Sequence, residues 1–151
     1  MEAERKSVDL SGYPDLVVIY LGMKVTAFTG LKTLFGMGPA IAKAVAGKPE
    51  GLLRHEFFLF SLTHVGMRQY WRDLESLEAF SRSEPHKSWW RGFLRNTGGT
   101  GFWHETYTMK GGMEAVYISM PDDLGFQSFA PARGPQGPFM TARERLQALK
   151  V

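Results

Sequence analysis

Residues 67–107, MRQYWRDLESLEAFSRSEPHKSWWRGFLRNTGGTGFWHETY, decide the fold of this chain. They combine an aromatic strand, a helical region, a glycine-rich turn and a second aromatic strand. All four tryptophans of the chain lie in this stretch. Such a concentration of Trp, Tyr and His can line a ligand pocket, but it can also form an ordinary aromatic core.

The composition of the whole chain excludes several classes of protein. With 151 residues, 44% of them hydrophobic, the chain is expected to form one globular domain. The absence of cysteine excludes disulfides, thiolate catalysis and cysteine-ligated metals. The net charge of +3 comes from scattered Lys and Arg residues without a nucleic-acid-binding motif, so no nucleic-acid partner is expected. The longest apolar run, residues 16–21, is too short to span a membrane, and residues 1–15 do not resemble a signal peptide. We therefore expect a cytoplasmic protein without a membrane partner.

The pattern along the chain predicts the order β-α-β-β-α-β followed by one further strand. The expected strands are residues 16–25, 51–62, 65–72, 101–109 and 113–120. From Thr29 to about Gly47 a broken helix or two short helices are expected, because glycines and Pro39 interrupt the helical spacing. Between the third and fourth strands we expect a helix capped by Asp73 and a second one that starts around Pro85.

This order is that of an α+β, ferredoxin-like βαββαβ fold with an extra C-terminal strand. Residues 1–14 form a polar leader, 15–125 the domain, and 126–151 a loop-rich tail with a helix at 141–149. The second strand becomes apolar on both faces, so a central position in the sheet is expected for it. In this fold the helices cover only one face of the sheet, and a second subunit would cover the other, which predicts a homodimer.

Several segments resemble the fumagillin-pathway monooxygenase-like family, within the dimeric α/β-barrel proteins that include the antibiotic-biosynthesis monooxygenases. They are GLLRHEFFLF (51–60), QYWRDLESLEAFSRSEPHKSWW (69–90), GFWHETY (101–107) and EAVYISMP (114–121). The resemblance implies a dimeric α/β barrel whose pocket lies between sheet and helices or inside the barrel. It also implies oxygenation, with O2, of a hydrophobic or aromatic small molecule of secondary metabolism, without a cofactor.

A cofactor-free oxygenase needs a base, donors for developing negative charge, and an apolar pocket. His104 is the first candidate base, since imidazole, with an ordinary pKa of about 6.5, transfers protons near neutral pH. Because side chains alternate along a strand, His104 and Tyr107 face opposite ways, and Glu105 accompanies Tyr107. Two sets therefore compete, one centred on His104 and one on Glu105 with Tyr107. Tyr70 could donate a hydrogen bond, and Arg68 could hold an enolate or peroxide anion.

The remaining candidates are aromatic side chains and one histidine that would contact the substrate. They are Trp71, Phe102, Trp103, Tyr117, His86 and Trp90. The structural alternatives stay open: His104 could be a hydrogen-bonded structural histidine, and His86 could lie at the edge of the core. His64, in a hairpin turn, is expected to be exposed to solvent.

No histidine spacing typical of a metal site occurs, so no metal is predicted. Haem is the alternative cofactor, because one histidine and an apolar pocket suffice for it. The haem-dependent aldoxime dehydratases share the barrel that the resemblance implies, and His104 or His86 would then be the proximal ligand. A third hypothesis is a non-catalytic ligand-binding dimer.

Overall fold

The computed structural model describes residue 3 and residues 5–148 of the chain. Five strands of the described residues form one antiparallel sheet in the order β2-β3-β1-β4-β5. The strands are β1 Val17–Val25, β2 Leu52–Ser61, β3 His64–Trp71, β4 Thr100–Thr108 and β5 Gly112–Ile118. The helices are α1 Gly30–Ala46, α2 Leu74–Arg82, α3 His86–Arg95 and α4 Ala142–Ala148. This is the predicted α+β, ferredoxin-like arrangement, with β5 added beside β4.

Parts of the predicted leader and tail, residues 1, 2, 4 and 149–151, lie outside the described residues. The predicted helix at 141–149 is α4, and its predicted last residue is among those that are not described. None of the helices in the described part of the chain is long and apolar enough to cross a membrane.

The first helix is continuous over 17 residues, so the predicted break within it is wrong. Pro39 lies inside α1 and cannot donate to the carbonyl of Phe35. Phe35 is 75% exposed and Pro39 is also exposed, so the interruption lies on a solvent-facing part of the helix and not in the core. The positions of Gly36 and Gly38 are also open, with nothing within 4 Å of an added Cβ.

The second strand is an edge strand, which corrects the predicted central position. Phe57 and Leu59 of β2 are 55% and 69% exposed, and Leu62 in the following turn is 91% exposed. Apolar residues on a strand indicate which of its faces are buried against other groups, but they do not indicate how many strands lie beside it in the sheet. In the single chain these side chains remain uncovered.

The sheet has a helix face, which carries Ile19, Phe102 and His104, and an open face, which carries Tyr20 and Glu105. The centre of the core lies on the helix face, where α2 packs. Its members are Val17, Ile19 and Trp71, with Leu74, Leu77 and Phe80 packed against them.

The N-terminus of α2 is fixed as the sequence predicted. The Asp73 carboxylate accepts a hydrogen bond from the backbone N–H of Ser76 at 2.7 Å, which satisfies one of the free donors of the first turn. Such a cap stabilises a helix by about 1 kcal/mol. It fixes the start of α2 immediately after β3, where the helix can cover Trp71.

The segment that follows β5 contacts both faces of the sheet. The Phe126 ring packs edge-on against Tyr107 on the open face, with ring centroids 5.7 Å apart. The chain then returns to the helix face, where α4 packs against β5 and its Arg145 reaches Glu114. The end of the domain is thereby held at two places of the β4–β5 hairpin.

Candidate functional site

The fourth strand carries candidate residues on both of its faces. Phe102 and His104 point to the helix face, where the Phe102 ring lies 5.5 Å from that of Trp90. Trp103, Glu105 and Tyr107 alternate with them and point to the open face. The two competing sets thus lie on opposite sides of one sheet and cannot share a pocket.

On the helix face, His104 belongs to a buried polar cluster. His104 Nε2 lies 3.0 Å from Glu114 Oε1, and the Thr106 hydroxyl donates to the same oxygen at 2.5 Å. Arg145 Nε donates to the other oxygen, Oε2, at 2.7 Å. The Glu114 side chain is only 1% exposed, so its negative charge is stabilised by these three groups rather than by water.

The charge of Glu114 determines which nitrogen of His104 is free. Burial raises the pKa of the Glu114 carboxyl, but His104, Arg145 and Thr106 outweigh burial and hold this pKa at about 2. An ionised carboxylate only accepts hydrogen bonds, so His104 Nε2 must carry a proton. In the neutral ring the lone pair then lies on Nδ1. The His104 side chain keeps 18% of its surface exposed, which leaves the ring accessible as a base.

A second histidine lies close to His104 on the helix face. His86 Nδ1 is 3.0 Å from the carbonyl oxygen of Ser81, so Nδ1 donates and the lone pair of the neutral ring lies on Nε2. Burial lowers the pKa of His86; the Ser81 carbonyl opposes this, and the neighbouring His104 lowers the pKa further. His86 is therefore neutral at neutral pH.

Aromatic rings of α3 and β4 form a wall beside His104. Trp90 and Phe93 are stacked with centroids 6.3 Å apart, and Phe102 lies edge-on to both, at 5.5 and 6.1 Å. Phe102 also lies 6.2 Å from His104. All three rings are half-buried, so each keeps surface that a flat apolar molecule could cover. Two surface clefts of about 260 and 380 Å³ lie elsewhere and contain none of the candidate residues.

On the open face, Glu105 accepts hydrogen bonds from two tyrosines, Tyr107 and Tyr117, and from the backbone N–H of Phe126 at 2.8 Å. Burial, together with the nearby Glu105, raises the pKa of both tyrosines well above its usual range. They therefore stay protonated as donors, and the carboxylate already accepts three hydrogen bonds. A Cβ at Gly125, where φ is +57°, would collide with Glu105 and Tyr117. This cluster joins the tail to the sheet.

Arg68 and Tyr70 lie together elsewhere on the open face. Arg68 donates to Glu56 Oε2 and to the Tyr20 hydroxyl, each at 2.8 Å, and its guanidinium lies 5.4 Å from the Tyr70 ring centroid. The bonds to Tyr20 and Glu56 raise the pKa of Arg68 above its usual value. The charge of Arg68 is thus already paired. Of the five predicted catalytic residues, the structure places only His104 on the helix face.

Two of the predicted substrate-binding tryptophans are buried. Trp71 has no exposed surface, packs on Phe80 and donates its indole N–H to Gln69. Trp103 is 4% exposed and donates its indole N–H to His64 Nε2 at 2.9 Å. Both indole N–H groups are satisfied within the protein, so neither ring offers free surface to a ligand.

The expectation that His64 is exposed is wrong, because this residue is 6% exposed at the start of β3. The connection between β2 and β3 is only two residues long, so His64 already belongs to the sheet. Burial, and to a smaller degree the charge of Lys24, lower the pKa of His64. A neutral ring can keep accepting from Trp103.

Sequence reasoning missed three members of the His104 cluster: Thr106, Glu114 and Arg145. The register of the β4–β5 hairpin pairs Thr106 with Glu114 and His104 with Val116. The glycines of its turn were a usable signal for this register, and hence for Glu114. Arg145 comes 31 residues after Glu114, and nothing in the sequence indicated that the two would meet.

The donor groups in the described residues do not form a metal site. No group of three or more His, Asp or Glu side chains among these residues could hold a metal ion. The acidic partner of His104 is already occupied by Arg145 and Thr106.

Two solved structures of low sequence identity share the fold, and a third is similar at a TM-score below 0.5. An aldoxime dehydratase is 20% identical, with a TM-score of 0.50 over 65% of this chain and 29% of that one. The aldoxime dehydratase OxdRE in complex with butyraldoxime is 22% identical, with a TM-score of 0.50 over 65% of this chain and 28% of its own. SnoaB, a cofactor-independent oxygenase from Streptomyces nogalater, is 13% identical, with a TM-score of 0.45 over 62% and 92% of the two chains. The chain thus spans less than a third of the aldoxime dehydratases that it matches. No protein of curated function matches the sequence significantly.

The sequence itself matches a known family over most of its length. Residues 16–126, from β1 to the 3-10 turn after β5, match the family described as Monooxygenase af470-like. This range contains His104, Glu114 and the aromatic wall, and it ends before α4. The monooxygenase-like resemblance of the strands is thereby confirmed at the level of this family. The chain belongs to the Monooxygenase af470-like family.

Proposed function

We propose that this protein is a small monooxygenase of secondary metabolism, related to the fumagillin-pathway enzymes. It oxidises a hydrophobic or aromatic small molecule with O2 and without a cofactor. The observation that carries the proposal is the His104–Glu114 pair, in which a buried ionised carboxylate orients a histidine beside a half-buried aromatic wall. Membership of a monooxygenase-like family supports the class of reaction.

The substrate binds on the helix face, against Trp90, Phe93 and Phe102. Their partly open rings favour a flat, apolar molecule, since stacked or edge-on aromatic contacts stabilise by about 0.5–1.5 kcal/mol each beyond area burial. Such a molecule would also contact His104, whose ring lies 6.2 Å from that of Phe102. A substrate with an acidic CH2 group next to an aromatic ring or a carbonyl group meets the chemical requirement.

His104 starts the reaction by accepting a proton at Nδ1, and Glu114 stabilises the imidazolium through the Nε2–H bond. The resulting carbanion transfers one electron to O2, and the radical pair forms a C–O bond to give a peroxide. The imidazolium protonates this peroxide. Loss of water then converts the former CH2 group into a carbonyl. The substrate supplies all four electrons, one oxygen atom enters the product and the other leaves as water, so no external reductant is needed.

The domain of residues 15–125 acts as a homodimer in which two open faces meet to form an α/β barrel. The open face carries the mixture of aromatic and Arg side chains that is enriched at protein interfaces. Tyr20, Tyr70 and Arg68 are half-buried there, and Phe60 is 49% exposed. A second subunit would cover these side chains and the edge strand β2.

The experiment is O2 consumption by the purified protein against a panel of activated aromatic and polyketide-like substrates. We expect uptake by the wild type and a fall of about 100-fold or more in kcat for His104→Ala, the lower range of what a general base contributes. Tyr70→Phe, on the open face, is the matched control and should keep kcat. Ligand binding without O2 uptake would instead support the non-catalytic binding dimer, and the oxygenase proposal would then be wrong.

A haem enzyme is the second candidate, and one observation favours it. His86 donates through Nδ1 to the Ser81 carbonyl, which leaves Nε2 with a lone pair on a ring that lies beside Phe80 and Trp89. His104 fits the role of a proximal haem ligand less well, because its Nε2 is hydrogen-bonded to Glu114. His86 would hold the iron, and haem when bound would supply the redox or Lewis-acid chemistry. Haem titration followed by absorbance decides this: a Soret shift that His86→Ala abolishes and His104→Ala keeps supports it, and no shift overturns it.

A further inference from the structure

We infer that Arg145, on the helix that follows the family domain, is a positioning residue that keeps the Nδ1 atom of His104 available as a base. The inference deepens the proposed function and rests on it for the identity of the base. It assigns a role in the site to α4, which lies outside residues 16–126. The tail of the chain then contributes a residue to the site that residues 16–126 do not provide.

The guanidinium of Arg145 is held from several directions. Its Nε donates to Glu114 Oε2 at 2.7 Å, while Nη1 donates to the carbonyl oxygens of Phe139 and Met140, each at 3.1 Å. The Arg145 side chain is 16% exposed. Three hydrogen bonds from a rigid planar group define one position for it, so Glu114 meets a preorganised partner.

Arg145 is the permanent positive charge in contact with Glu114. The other contacts come from β4, where Thr106 is a neutral donor and His104 is titratable. His86 of α3 lies near His104 and is neutral at neutral pH. A carboxylate whose side chain is 1% exposed requires a compensating charge, and Arg145 supplies it at every pH of interest.

Loss of this charge leaves the buried pair two ways to compensate. In the first, His104 takes up a proton and becomes an imidazolium, with protons on both nitrogens. In the second, Glu114 takes up a proton and donates it to Nε2, so the neutral ring carries its own proton on Nδ1. Both outcomes remove the lone pair from Nδ1. Arg145 therefore controls the base through Glu114, without touching the substrate.

The same helix offers a matched control. Arg143 Nη2 lies 2.7 Å from Oε2 of Glu78, which belongs to α2. Arg143 does not contact Glu114. The Arg143 side chain is 53% exposed, so its ion pair is a surface pair of small energetic weight. Arg143→Gln removes one positive charge from α4, as Arg145→Gln does, but leaves the His104 cluster intact.

The experiment compares the full-length wild type with Arg145→Gln, Arg145→Lys and Arg143→Gln. The ring 15N signals of His104 and the carboxyl 13C signal of Glu114 are followed by NMR against pH, and O2 uptake is measured in parallel. For Arg145→Gln we expect the Glu114 titration to move to higher pH, Nδ1 of His104 to be protonated at pH 7, and kcat to fall by about 100-fold with KM little changed. Arg145→Lys should keep the pKa of Glu114 close to its lowered wild-type value, because it keeps the positive charge. Arg143→Gln should match the wild type.

Unchanged His104 and Glu114 signals in folded Arg145→Gln would overturn the inference. If that variant does not fold, Arg145→Lys decides. A Glu114 titration like that of the wild type supports the charge argument, and one moved to higher pH contradicts it. The NMR measurements need no substrate, so they remain decisive even if the wild type consumes no O2 and the proposed function fails.

Discussion

His104 Nε2 and Glu114 Oε1 lie 3.0 Å apart on the neighbouring strands β4 and β5, both on the helix face of the sheet. Glu105, the carboxylate next to His104 in sequence, points to the open face and binds two tyrosines there. The two faces of the β4–β5 hairpin therefore hold two buried carboxylates with different surroundings. Glu114 is coupled to a histidine, and Glu105 joins the tail to the sheet.

Glu114→Gln should lower kcat by about 100-fold, because the neutral amide no longer keeps the proton on His104 Nε2. The matched change on the other face is Glu105→Gln, which should weaken the contact with the tail but leave kcat nearly unchanged. O2 uptake and thermal unfolding of both variants check this. If Glu105→Gln alone loses kcat, the site lies on the open face.

Stability should fall in acid because the pKa of Glu114 is lowered from its ordinary value of 4.5 to about 2 in the folded protein. A lowered carboxyl pKa stabilises the fold above the unfolded pKa, so this contribution is present from about pH 5 upward and is lost as the pH falls toward 2. The shift corresponds to about 3 kcal/mol. Urea unfolding at pH 7, 4 and 3 should show this loss in the wild type. The Glu114→Gln variant should lack most of this loss of stability at low pH. An equal loss of stability in both proteins would contradict the assignment.

Trp103 and Trp90 should separate packing from ligand binding. Trp103→Phe leaves the buried His64 nitrogen without its donor and should lower the free energy of unfolding by about 1–3 kcal/mol. Trp90→Phe changes a half-buried ring of the wall, so it should cost less stability and raise KM. Chemical denaturation and substrate titration measure the two effects. The reverse pattern would place the ligand on the open face.

Substitutions of two exposed phenylalanines, one on the open face of the sheet and one on α1, test the proposed dimer. Phe60→Glu places a charge on the open face, where Phe60 is 49% exposed, and should weaken a micromolar dimer by at least about 10-fold. Phe35→Glu places the same charge on α1, where Phe35 is 75% exposed, and should leave the dimer intact. Sedimentation velocity distinguishes them. A wild type that is monomeric at micromolar concentration contradicts the predicted barrel.

Much of the local structure could be read from the residues themselves. Alternation along β4 separates His104 from Glu105 because successive side chains of any strand point to opposite faces. Asp73 predicts the start of α2 because an N-cap depends on contacts within one turn. The break predicted in α1 is wrong for the opposite reason, since the exposure of Pro39 to solvent is a property of the whole fold.

The sequence by itself determined the order of the strands and helices, and the alternation of side chains between the two faces of a regular strand such as β4, because periodicity and capping act over a few neighbouring residues. Only the tertiary structure decided that β2 is an edge, that His64 is buried under Trp103, and that Arg145 meets Glu114. These relationships depend on where connecting segments return the chain to the sheet. Arg145 reaches Glu114 after 31 residues that are mostly loop, and such a path leaves no periodic signal in the sequence.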